Sequence, residues 1–135
     1  SAADVASAGV AAGSAGNAEG GATVAAVDLG GKPGLKVYFA SSQADIAPEF
    51  ASAAASVLQQ LKDHPELKVE LMGFNDPSGN AASNALLAKK RAEAVRAALV
   101  KLGVAAPRIT LLKPSDSTGG AANKAEARRV EVSLH

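Results

Sequence analysis

No cysteine occurs in the 135 residues, which removes disulfides, thiolate nucleophiles and cysteine-ligated zinc together. Such a composition suits an oxidising compartment, where a free thiol is a liability. Aromatic residues are nearly as scarce, with no Trp, one Tyr and three Phe. Base stacking therefore has few platforms. A core must be assembled from Leu, Val, Ile and Ala, which a hydrophobic fraction of 47% allows. An excess of one charge is also missing, since 14 basic and 13 acidic residues leave a net charge of +1. Without clustered Lys or Arg to capture phosphates, nucleic acid is not an expected partner. No apolar run approaches the ~20 residues that span a bilayer, so direct membrane insertion of this stretch is not expected. The chain also opens without the basic start and apolar stretch of a signal peptide. An exported protein would carry its signal or anchor upstream.

Catalytic and cofactor motifs are absent as well. Gly30-Gly31-Lys32 runs into Pro33 rather than Ser or Thr, with no glycine at the spacing a phosphate loop needs. No serine sits in a Gly-x-Ser-x-Gly elbow. His64 falls at a helix end before Pro65, where capping is its expected role, and His135 is terminal. Asp45, Asp63, Asp76 and Asp116 show no calcium-loop periodicity. No catalytic residue, cofactor or metal is expected.

What is present falls into two parts. Ala or Gly fills 19 of the first 34 positions, so residues 1–34 read as a linker or N-terminal extension that costs much to order and buries little. A short strand over Ala22–Leu29, with Val24 and Val27 packing, is the alternative. Residues 35–135 read as one domain. Leu35 to Phe39 is a β-prone run led in by Pro33-Gly34. After the polar loop Ser41 to Ala47, Pro48 suits a first helical turn. Phe50, Ala54, Val57, Leu58 and Leu61 form one apolar face that stops before Pro65. Leu67, Val69 and Leu71 alternate as a second strand. The loop Asn75 to Asn80 precedes a helix over about Ala82 to Leu102, ended by Gly103. Ile109 to Leu112 is a third strand, Lys113 to Gly120 a loop with helical turns following through Ala127, and Val130 to Leu134 the closing strand. The expected fold is α/β, specifically an α+β two-layer sandwich with two main helices on a small mixed sheet.

One residue in the long helix breaks the pattern. At about 100° per residue, Asn84, Leu87, Ala88, Val95, Ala98, Leu99 and Leu102 share a stripe, and Arg91 lies near its middle. An inward-facing arginine cannot shed its proton near neutral pH and must find an acceptor or a route to water. Asp76 is the nearest candidate, in the loop at the N-terminal end of the helix, toward which the arginine side chain leans. Asn84 would line the rim, and free backbone N–H groups around Asn80–Ser83 would add partial positive charge. Two readings stay open. Asp76 and Arg91 close the loop onto the helix as a structural pair, or they form a pocket for a zwitterion, the guanidinium fork taking a carboxylate and the aspartate an ammonium. Leu86 and Val100 lie off the stripe. They would meet a second surface, the Ala-rich segment or another subunit of a homo-oligomer.

The segment Gly73-Phe74-Asn75-Asp76-Pro77-Ser78-Gly79, followed by Asn84-Ala85-Leu86-Leu87-Ala88-Lys89-Lys90-Arg91-Ala92-Glu93-Ala94-Val95, resembles the OmpA-like C-terminal domain. That family's pattern is Gly-aromatic-x-Asp-x-x-Gly, then Asn-x-x-Leu-Ser-x-x-Arg-Ala-x-x-Val. Lys101-Leu102-Gly103-Val104 with Arg108-Ile109, the closing Ala127-Arg128-Arg129-Val130-Glu131-Val132 and the opening Val37-Tyr38-Phe39 are similar to its other signatures. The resemblance covers about Leu35 to Leu134. It implies the order β-α-β-α-β-β and noncovalent binding of peptidoglycan through the diaminopimelate residue of its peptide stem. Asp76 would hold that residue's ammonium and Arg91 its carboxylate, with Asn84, Asn75 and Ala40 as further ligand-binding positions. It also implies a periplasmic place in the cell envelope, with attachment to a membrane through a segment outside these residues.

The sequence departs from the family at several points. Asn75 replaces the common Thr or His, Ala40 an Asp or Asn, Ala88 the Ser and Ala127 the Asn, while Leu112-Lys113-Pro114 replaces Gly-aromatic-Gly. The alternative function is therefore a structural or protein-interaction domain of the same fold that has lost the ligand.

Overall fold

The computed structural model describes residues 22–75, 80–116 and 126–135. Its strands are β1 (Thr23–Leu29), β2 (Lys32–Tyr38), β3 (Val69–Asn75), β4 (Ile109–Leu111), β5 (Ser115–Asp116) and β6 (Arg129–Leu134). Its helices are α1 (Phe50–Ala53), α2 (Ala55–Asp63) and α3 (Ala81–Lys101), with 3₁₀ turns at Ala106–Arg108 and Glu126–Arg128. The strands form one mixed sheet in the order β1-β2-β6-β3-β4, and the short β5 pairs with the end of β3. The expected α+β architecture with two principal helical segments is the one found.

Strand alternation sends one face of this sheet into the core. Leu35, Val132 and Leu71 sit opposite one another across β2, β6 and β3, and all three are fully buried. Leu134 and Val69 form a second row that continues to Ile109 on the parallel strand β4. Phe50, Ala54, Val57 and Leu61 from the first helical pair, with Ala92, Val95 and Leu99 from α3, close over these rows. The backbone bonds Ala54 N–H to Phe50 O and Leu58 N–H to Ala54 O, both 2.9 Å, carry α1 into α2 as nearly one helix.

In the third row Val37 and Val130 face Gly73. A Cβ at Gly73 would stand 2.8 Å from the Ala88 carbonyl oxygen, so a bare α-carbon lets α3 lie directly on the sheet. Ala88 is accordingly buried, which gives a packing reason for a small side chain where the family pattern has Ser.

Several boundaries differ from the sequence reading. The strand weighed over Ala22–Leu29 is present as Thr23–Leu29, and it pairs along its whole length with β2. Its turn is made by Gly30 and Gly31 at φ of 66° and 85°, a backbone region glycine enters without steric cost, and Asp28 Oδ1 accepts from Gly31 N–H at 2.9 Å. Ordered chain thus begins before Leu35. Val24 packs on the core, but Val27, three positions on, points to the opposite face because side chains alternate along a strand. Residues 1–21 lie outside the described residues.

Pro48 is not in the helix, which starts at Phe50 after Glu49. Leu102, expected on the buried stripe, is 37% exposed because α3 ends one residue earlier. Gly103 takes φ 106° just beyond that end, and the buried Ala92 joins the stripe instead. Ser115–Asp116, read as loop, pairs in parallel with Phe74–Asn75. Leu86 and Val100 are exposed, as their positions off the stripe require.

Candidate ligand-binding site

β2 and β3 both run antiparallel to β6, so their C-terminal ends lie at the same edge of the sheet as the start of β6. Phe39 and Ala40 follow β2, Asn75 closes β3, and Arg128 leads into β6. The middle of α3 delivers Arg91 to this edge.

Arg91 is 3% exposed, the buried charged residue among those described. The acceptors it finds are main-chain carbonyls. Its Nε donates to Gln43 O at 2.8 Å and its Nη2 to Ala40 O at 3.2 Å. Its guanidinium carbon lies 5.4 Å from the centre of the Phe39 ring, within cation–π range. Among the described residues these bonds use the edge of the guanidinium between Nε and Nη2. The other edge, between Nη1 and Nη2, keeps the paired N–H geometry that matches a carboxylate.

The turn that supplies these acceptors is itself unusual. Gln43 N–H bonds back to Ala40 O at 3.0 Å, and Ser42 between them adopts φ 61°. A non-glycine residue there carries a modest steric cost. The cost is offset where the turn aims the Ala40 and Gln43 carbonyls at a buried cation.

Burial pushes the Arg91 guanidinium well below the ordinary arginine range, down to about 10, and the positive charge of Arg128 adds to the effect. Both causes act in one direction, because each penalises the charged form. Arg128 in turn donates through Nε to Phe39 O at 2.9 Å and accepts from Phe39 N–H through its own carbonyl at 2.9 Å. The adjacent Arg129 faces elsewhere, over the Phe74 ring at 3.7 Å and on Glu131 Oε2 at 2.9 Å.

Of the expected site residues, the structure brings Arg91 and Ala40 into direct contact, with Ala40 serving through its main-chain oxygen. Asn84 is half-buried on α3, two turns before Arg91. Asn75 ends β3, and its side chain lies outside the described residues, as does Asp76. The expectation of free N–H groups at Asn80–Ser83 changes in one respect, since Asn80 Oδ1 caps the helix by accepting from Ser83 N–H at 3.0 Å. His64 is the C-cap of α2. Among the described residues no group of three or more His, Cys, Asp or Glu could hold a metal ion, and no helix is long and apolar enough to cross a membrane.

Sequence reasoning missed Gln43, Phe39 and Arg128. The first serves through its carbonyl, which carries no side-chain signature. Arg128 was visible only as half of an Arg-Arg pair.

Residues 38–132 match the model of the OmpA family. The Probable lipoprotein YiaD of Escherichia coli (strain K12) is 36% identical over 103 residues, covering 73% of this chain and 47% of the relative. Outer membrane porin F of Pseudomonas fluorescens is 33% identical over 105 residues, covering 74% of this chain and 32% of the relative. The chain thus spans less than half the length of these curated relatives. The crystal structure of the peptidoglycan-associated lipoprotein from Burkholderia pseudomallei superposes with a TM-score of 0.63 at 28% identity, covering 74% of this chain and 89% of that one. The chain belongs to the OmpA family.

Proposed function

We propose that this domain binds peptidoglycan noncovalently through the diaminopimelate residue of the peptide stem, and so holds an envelope protein to the cell wall from the periplasm. The observation that carries the proposal is Arg91, a buried cation at the carboxyl ends of β2 and β3 with one guanidinium edge turned to the main chain. Its second edge fits a ligand carboxylate, and Asp76, next in sequence after the end of β3, is the proposed acceptor for the ligand's ammonium. The likeness to a peptidoglycan-associated lipoprotein supports this reading, as do the lipoprotein and outer-membrane names of the curated relatives. Binding and release need no nucleophile or metal, so the domain acts as an anchor rather than an enzyme.

Sedimentation with insoluble diaminopimelate-type peptidoglycan tests the assignment. The parent chain should pellet with the wall, while folded Asp76→Ala and Arg91→Ala should stay in the supernatant. If both variants pellet like the parent, the assignment is wrong.

One observation favours a second reading. Arg91 already ties α3 to the Ala40–Gln43 turn through two main-chain bonds, which suffices for a structural brace in a protein-interaction domain. On that reading diaminopimelate does not bind the parent at all.

A further inference from the structure

We infer that Arg128 is a positioning residue for Arg91, holding the chain on which Arg91 rests and supplying the second positive charge that makes the recess select a free carboxylate. The inference rests on the peptidoglycan reading and extends it to a residue of the closing Arg-Arg pair.

The geometry singles out Arg128 at the start of β6. Both main-chain polar groups of Phe39 are taken by this one residue, the N–H by the Arg128 carbonyl and the carbonyl by Arg128 Nε, each at 2.9 Å. Phe39 is in turn 1% exposed, with its ring beneath Arg91. The next carbonyl along the chain, that of Ala40, accepts from Arg91. Two guanidiniums are therefore fastened to consecutive carbonyls, and any displacement of Phe39 moves the support of Arg91.

Strand alternation explains why only one arginine of the pair does this. Arg129, one residue on, turns to the other face of the sheet, where it meets Phe74 and Glu131. With the two side chains on neighbouring carbonyls, the positive charge of Arg128 weighs against that of Arg91. An anion placed against Arg91 relieves that repulsion, whereas a neutral amide of the same shape does not. Arg128 thus contributes to the choice of ligand through Arg91.

The test is a calorimetric titration of the full 135-residue chain with two stem peptides. One carries diaminopimelate with its side-chain carboxylate free, and the other carries it amidated there. Parent, Arg128→Gln and Arg128→Lys are compared, with thermal melts alongside. The parent should prefer the acid. In Arg128→Gln the acid-over-amide preference should fall by about tenfold, the order expected for removing one nearby charge in a partly solvated site. Arg128→Lys should retain most of the preference while binding both peptides more weakly, because an ammonium restores charge but not the fork.

A folded Arg128→Gln that loses affinity for acid and amide by the same factor would show a merely structural residue and overturn the inference. So would unchanged affinities. If Arg128→Gln does not fold, Arg128→Lys decides, and loss of its preference overturns the inference. A parent that binds neither peptide removes the peptidoglycan reading itself, an outcome distinct from a binding parent with an indifferent Arg128.

Discussion

Arg91 Nη2 and the carbonyl oxygen of Ala40, 51 residues apart in sequence, meet at 3.2 Å. This bond and its neighbour to Gln43 tie the middle of α3 to the turn after β2, so Arg91 has a structural duty whatever it binds. Arg91→Ala takes the buried donor from the Gln43 carbonyl and leaves the Ala40 carbonyl with the Gln43 N–H. It should lower unfolding free energy by about 1–3 kcal/mol in urea melts, besides abolishing ligand binding. Asp76→Ala should affect binding more cleanly.

The lowered pKa of Arg91 gives a signed prediction. Its folded value of about 10 lies below the ordinary arginine value, so above pH 10 the unfolded chain holds the proton that the native chain has released. Stability contributed at this site therefore rises with pH between those two values and is constant below them. The difference in unfolding free energy between the parent and Arg91→Met should be flat from pH 6 to about 9. Above pH ~10 it should shift in favour of the parent. Denaturant melts across that range check both limbs.

Gly73 sets the distance between sheet and helix. Gly73→Ala places a methyl group 2.8 Å from the Ala88 carbonyl, and backbone on both sides gives way only by shifting α3. A destabilisation of about 1–3 kcal/mol is expected for such overpacking. Because Ala88 lies one turn before Arg91, weaker ligand binding should accompany it. Urea melts and the same sedimentation assay measure the two effects.

Arg108 offers a contrast away from the site. Its guanidinium donates to the carbonyls of Leu61, His64 and Leu67 at distances from 2.7 to 3.2 Å, closing the end of α2, where helix carbonyls lack intrahelical partners. Arg108→Met should lower stability by about 1–3 kcal/mol and leave the affinity for peptidoglycan unchanged, as melts and sedimentation together will show.

The sequence made α3 legible because a 21-residue helix with a regular apolar stripe ends before a glycine. The anomalous Arg91 stood out on that stripe for the same reason. Its acceptors did not, since a carbonyl oxygen is common to every residue. Ala40 drew notice only for departing from a pattern of polar side chains, yet the atom it contributes is its main-chain oxygen. The β1–β2 hairpin was obscured by alanine and glycine, which signal a tether by composition. In the structure two of those glycines make the turn, and full pairing with β2 supplies what composition lacks. Leu102 misled because periodicity extends past a helix end that only the backbone defines.

The central claim is that Arg91 and Asp76 receive a zwitterion, and calorimetric titration with the free diaminopimelate stem peptide tests it most directly. Saturable binding is predicted for the parent, together with loss of binding in Asp76→Ala at an unchanged urea midpoint. Absence of binding by the parent, or an Asp76→Ala variant that binds as tightly, would contradict it.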